Sequence, residues 1–233
     1  MDPGILTFDS AREAALACGA DTFKLLDAAR RARGQATLAI SGGTTPRIMF
    51  EWMAAQDFDW SGVQLFWVDE RCVPPDHQLS NFRMTRESLL DRVRIPAEQI
   101  HRIKGELPPE EAARLYIGEI VKFLGDRPVF DLIQRGMGPD AHTASLFPGE
   151  PLIGDHTDIA SAVWVEKMNQ HRVTLLPAVL ESARATLSLA TGPEKADALK
   201  LVLQGPSNAK EAPAQIRSAG TVWYIDRDAA AKL

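Results

Sequence analysis

A carboxylate and an imidazole stand two residues apart in Gly136-Met-Gly-Pro-Asp-Ala-His-Thr143, as Asp140 and His142. An ordinary imidazole titrates near about 6.5, so at neutral pH it can take a proton and return it, and a nearby carboxylate can set its tautomer. A structural histidine bonded to backbone accounts for the same pair. Asp69-Glu70-Arg71 follows the apolar run Leu65-Phe-Trp-Val68. Charges at the end of such a run read as a solvated rim or as groups delivered to a cleft, where the planar Arg71 fork can clamp an oxyanion or carboxylate. Ser41-Gly42-Gly43-Thr44-Thr45-Pro46 is the third candidate. Its glycines let backbone approach a ligand, Pro46 suits the first turn of a helix, and free N–H groups with the helix dipole make a phosphate site. A tight turn without ligand fits those residues equally well. Arg172 and Lys195 are possible counter-charges. A lysine in a helix's first turn opposes the dipole, although surface placement explains either residue.

Other chemistries lack their residues. There is no GxxxxGK[ST] P-loop, no GxSxG nucleophile elbow and no HExxH metal pair, and His101, His156 and His171 have no ligand spacing. His77 reads as a surface residue. Residues 136–141 match GxGxxA formally, but Pro148, Gly149, Pro151 and Gly154 interrupt the helix that a dinucleotide site requires.

The elements that must position these groups alternate. Strands are expected at 36–40, 63–68, 129–133, 159–165, 170–175, 184–190 and 221–226. Asp9-Ser10 caps a helix to about Arg33, with Ala14, Ala17, Ala20, Leu25 and Ala28 on its apolar side. Further helices are expected from Pro46, from Ser80, over 108–124, near 177–183 and over 193–203. Alternation predicts an α/β fold: three layers, a Rossmann-like, mostly parallel sheet flanked by helices, in a single domain over 1–233. Segments 41–46, 69–81 and 136–148 each follow a strand, so parallel strands bring all three to one edge, where ligands of such sheets bind.

Composition agrees with a globular chain: of 233 residues, 45% are hydrophobic and 24% charged. With 26 Lys+Arg against 31 Asp+Glu the net charge is −5, which argues against nucleic-acid binding. Cys18 and Cys72 form no disulfide framework or metal pair, and the start Met1-Asp2-Pro3-Gly4 shows no signal-peptide pattern. No apolar run approaches the roughly 20 residues of a membrane helix. A cytoplasmic location, without membrane or nucleic-acid partners, is the expectation; oligomeric state is not legible.

Read together, Ser41–Pro46, Asp69-Glu-Arg-Cys-Val-Pro-Pro-Asp-His77, Ser80-Asn81, Gly136–Asp140, His142-Thr-Ala-Ser-Leu-Phe-Pro-Gly149 and Arg172-Val-Thr-Leu175 resemble the family of 6-phosphogluconolactonases and glucosamine-6-phosphate isomerase/deaminases over nearly the whole chain. Asp-Glu-Arg with Pro-Pro-Asp-His and Ser-Asn is similar to the lactonase branch; the deaminase's Asp-Glu-Tyr and Gly-His-Ile-Gly/Ala-Phe-Asn-Glu segments are lacking. The resemblance implies hydrolysis of 6-phospho-D-glucono-1,5-lactone, a small sugar-phosphate lactone, without metal or cofactor. It implies His142 as the base, Asp140 orienting it, and Arg71 at the developing oxyanion. Substrate would lie on Ser41, Gly42, Gly43, Thr44 and Asp69, with Arg172 and Lys195 facing its phosphate. Two alternatives stay open: a deaminase using Asp69 as base, and a sugar-phosphate sensor without turnover. The chain departs from the family's usual pattern at Gln134-Arg135, where an apolar pair is usual, and at Ala141, usually glycine. If position 141 is left-handed, alanine there costs roughly 1 kcal/mol or more.

Overall fold

Strands covered on both faces by helices read as continuous apolar runs rather than alternating ones. Ala36–Ile40 (β2), buried at all five positions, and Val63–Trp67 (β3) are of this kind. The computed structural model, which describes residues 4–233, places them side by side near the middle of a parallel sheet. Its other strands are Gly4–Phe8 (β1), Ile100–His101 (β5), Leu132–Gly136 (β6), Ala185–Ala190 (β9) and Thr221–Asp226 (β10). The order is β1-β10-β9-β6-β2-β3-β5, and each neighbouring pair is parallel. The α/β expectation is met.

Helices cover the sheet: Ala11–Arg33 (α1), Thr44–Met53 (α2), Asn81–Ser88 (α3), Pro109–Leu124 (α4), Pro177–Ser182 (α5) and Ala196–Gln204 (α6). Ser10 caps α1 by accepting from the Glu13 N–H, and Gly34, at φ 79°, ends it in the left-handed region. The buried stripe of α1 runs through Ala14, Ala15, Cys18, Thr22, Leu26 and Ala29, rotated from the expected Ala17, Ala20, Leu25 and Ala28. Cys18, Thr22 and Leu26 keep strict i, i+4 spacing, and Thr22 can join the stripe because its hydroxyl donates to the Cys18 carbonyl at 2.8 Å.

Three differences from expectation bear on function. The edge strands β1 and β5 were not anticipated; β1 is exposed and β5 is only two residues long, so neither has a buried run. β6 lies three residues later than its apolar sequence suggests. Asp131 accepts from the Thr37 N–H at 2.9 Å and hydroxyl at 3.1 Å, so side-chain bonds replace the first rung and the ladder starts at Leu38↔Leu132. Gln134 and Arg135 therefore lie inside a buried strand. Finally, Ala160–Val165 (β7) and Gln170–Leu175 (β8) do not join the main sheet. They pair antiparallel, and β8 takes Asp69–Arg71 (β4) on its other side.

After β2 the chain proceeds to β3 and β5 on one side, then returns to β6 on the other. The turns leaving β2 and β6 thus flank the point where strand order reverses, the place where an open α/β sheet forms a crevice.

Candidate active site

The turn after β2 lies on one wall of this crevice. Gly43 is the N-cap of α2 at φ 124°, a backbone conformation open mainly to glycine, and offers no capping side chain. The first-turn N–H groups of the ten-residue α2 therefore point outward with the positive end of the helix dipole. Ser41 is held from below: its N–H donates to the Gln134 carbonyl at 3.1 Å. Thr45 and Thr191 hydroxyls meet at 2.7 Å, tying this turn to the loop after β9 that carries Lys195. Lys195 lies at the end of the 3-10 turn Pro193–Lys195, just before α6, rather than inside a longer helix.

The second wall comes from β4. Glu70 is buried and collects the N–H groups of Arg71, Asn81 and Phe82 at 2.7–2.8 Å and the Ser80 hydroxyl at 2.9 Å. Burial pushes its pKa up, and those four donors oppose the rise. Asn81, so fixed, donates to the Asp69 carbonyl at 2.9 Å and accepts from Arg71 at 2.6 Å. Arg71 also donates to the Leu79 carbonyl at 2.9 Å. Glu70 and Asn81 were not among the expected site residues, although both stand in segments that carry the family resemblance, and the Ser80 cap next to Asn81 was the local signal. A side chain on Gly42 would occupy the place of the Asn81 amide oxygen, so glycine there lets the two walls close together.

Arg172 stands directly opposite Arg71 in the β4–β8 register. Like charges facing across a strand pair repel. Arg172 is buried, and desolvation pulls its pKa down against the pull of Asp69. The Asp69 carboxylate lies 3.7 Å from Arg172 and accepts from the Ser145 hydroxyl at 2.6 Å. Its carboxylate is therefore engaged in holding the arginine.

The loop after β6 forms the floor. The His142 carbonyl accepts from the Gly138 N–H at 2.9 Å, closing a five-residue turn. Within it Asp140 Oδ1 meets His142 Nδ1 at 2.5 Å. Ala141 between them has φ 63°, the left-handed conformation the sequence raised as a cost. The imidazole stacks on Phe147, ring centroids 4.1 Å apart, and Arg172 lies over the same Phe147 ring at 5.7 Å. Lys167, at the tip of the β7–β8 hairpin, reaches Asp140 Oδ2 at 3.0 Å. Burial raises the Asp140 pKa, but His142 and Lys167 more than offset it and bring it down to about 2. Burial pulls His142 below the ordinary histidine value, with Asp140 resisting. Nδ1 is thus committed to Asp140, which leaves Nε2 as the ring nitrogen available to the cavity that His142 lines.

One cavity of about 270 Å³ is lined by Ser41 to Thr44, Asp69, Arg71, His142, Arg172 and Lys195. Asp140 stands behind the imidazole rather than on the wall. The expected residues are brought together, and Asn81, Thr191 and Glu194 join them. His77, partly exposed, accepts from the Leu79 N–H at 3.2 Å and lies outside the cavity lining. Among the described residues no group of His, Cys, Asp and Glu has metal-holding geometry, and no helix is long and apolar enough to cross a membrane.

The comparisons with known proteins agree with this architecture. A family model described as glucosamine-6-phosphate isomerases/6-phosphogluconolactonase matches residues 9–223. The chain is 37% identical over 210 residues to a 6-phosphogluconolactonase of Synechocystis sp., covering 86% of each protein. It is 34% identical to a 6-phosphogluconolactonase of Mycobacterium tuberculosis, covering 100% of this chain and 99% of that one. The structure of 6-phosphogluconolactonase from Trypanosoma cruzi superposes with a TM-score of 0.90 at 25% identity, over 100% of this chain and 98% of that one. With the sheet order, the crevice and these similarities in hand, the chain belongs to the glucosamine-6-phosphate isomerase/6-phosphogluconolactonase family.

Proposed function

We propose that the chain hydrolyses 6-phospho-D-glucono-1,5-lactone to 6-phospho-D-gluconate, a step of the pentose phosphate pathway. The observation that carries this reading is an imidazole, paired through Nδ1 with Asp140, in the same cavity as the uncapped N-terminus of α2. The phosphate rests on the backbone of Gly42, Gly43 and Thr44, beside Ser41, with Arg172 and Lys195 as counter-charges. A dianion also relieves the repulsion between Arg172 and Arg71, which explains how a protein of net charge −5 attracts an anionic substrate.

The chemistry follows from the free Nε2. It takes a proton from water as the water oxygen bonds to the lactone carbonyl carbon, and the carbonyl oxygen gains the negative charge. Arg71 and nearby N–H groups hold that oxyanion. Its collapse breaks the bond to the ring oxygen, which receives the proton back from the imidazolium. The acid formed then ionises, so each turnover releases one proton. No redox change occurs, and no group outside the chain and water is consumed. Asp69, already engaged by Ser145 and Arg172, supports the binding site here rather than abstracting a proton as a deaminase would require.

The test is proton release from freshly prepared lactone, with the spontaneous reaction subtracted. Turnover above background is expected, without ammonia release from glucosamine 6-phosphate. His142→Ala should lose about 10²–10⁴ in kcat, the usual contribution of a positioned general base. Near-native turnover in that variant would overturn the base assignment.

A further inference from the structure

Arg135 is 1% exposed in β6, yet both of its partners are uncharged oxygens: Ser188 Oγ at 3.4 Å from Nε and the Ala214 carbonyl at 3.2 Å from Nη2. Its Nη1 has no partner. Burying a guanidinium without a carboxylate is costly, and an apolar side chain of similar size is often neutral or stabilising in such a place. Stability therefore does not explain this residue, whereas its contact does. Ala214, in the 3-10 turn Pro213–Gln215, uses its N–H to hold the Ala141 carbonyl at 2.9 Å. Ala141 is the left-handed residue between Asp140 and His142. A non-glycine residue in that conformation persists only where its surroundings over-determine it.

We propose that Arg135 is a positioning residue for the lactonase reaction: through Ala214 it holds Ala141 left-handed and so keeps the His142 ring aimed at the substrate. The unusual arginine and the unusual alanine form one device. The guanidinium fixes the 3-10 turn, the turn fixes the Ala141 carbonyl, and the loop hydrogen bonds set the imidazole.

The inference rests on the lactonase reading for its kinetic test, so the test carries a second arm that needs no turnover. Arg135→Met should fold with an unchanged or raised Tm and lose about 10-fold or more in kcat, because about 1 Å of misplacement can cost 10²-fold. KM should stay within about twofold, since no phosphate contact is touched. Adding Ala141→Gly should restore most of the kcat, because glycine enters the left-handed region without the steric cost that alanine has. The proton NMR resonance between His142 Nδ1 and Asp140 should shift or broaden in Arg135→Met and return in the double variant. Parental kcat with an unmoved resonance in Arg135→Met overturns the inference, as does a double variant no faster than Arg135→Met. If Arg135→Met fails to fold, Arg135→Leu, which also lacks a donor, carries the same comparisons. A parent without turnover above the spontaneous reaction overturns the lactonase reading, while the resonance still decides the role of Arg135.

Discussion

At the scale of single residues the decisive object is the His142 ring, held at Nδ1 by Asp140 and on one face by Phe147. A general base works as the neutral form, so its rate falls as pH drops through its own pKa. Burial sets that value below the ordinary 6.5 of histidine. The acid limb of kcat/KM, which reports the free enzyme, is therefore expected to fall below pH 6.5, with full activity retained at neutrality. A limb centred above 6.5 in the pH–rate profile would contradict the burial argument. For the two cations assigned to the phosphate, Arg172→Ala and Lys195→Ala should each raise KM about 10-fold or more with kcat less affected, because phosphate binding is shared by ground and transition states. Arg71→Ala should differ by lowering kcat, as loss of an oxyanion contact does. Steady-state kinetics separates the two patterns.

At the scale of elements, the loop after β6 and the turn after β2 work because glycines allow close approach where a Cβ would not fit. A Cβ on Gly138 would fall on Nδ1 and Cε1 of His142. Gly138→Ala should therefore displace the ring and lower kcat about 10²-fold with a smaller change in KM. Circular dichroism should show the fold intact, since this loop lies outside the sheet. The second, three-stranded sheet has its own function. It sets Arg172 opposite Arg71 and extends the hairpin whose tip carries Lys167 to Asp140. The antiparallel hairpin thus supplies cations to a crevice formed by parallel strands.

For the molecule as a whole, the cost of gathering Arg71, Arg172 and Lys195 is relieved by an anionic ligand, so product should stabilise the fold. With 6-phosphogluconate at about 100 times its Kd, binding adds about 2.7 kcal/mol and should raise Tm by roughly 5–10 °C. Thermal unfolding with and without product measures this, and Arg172→Ala, with a site about tenfold weaker at the same product concentration, should cut the shift to about half.

Local pattern determined much of this protein. The apolar runs of β2 and β3, the Ser10 cap and the glycine turn at 41–46 are decided within a few residues, so the sheet class, the turn before α2 and the nearness of Asp140 to His142 were legible from the chain alone. Tertiary structure decided what depends on distant partners. Asp131 bonded to Thr37 shifted β6 and buried Arg135; the pairing of β4 with β8 set Arg71 against Arg172; Glu70 gathered the loop that carries Asn81. Each is a contact between residues far apart in sequence, made only when the crossovers bring strand ends together, and hydrophobic periodicity carries no record of such meetings.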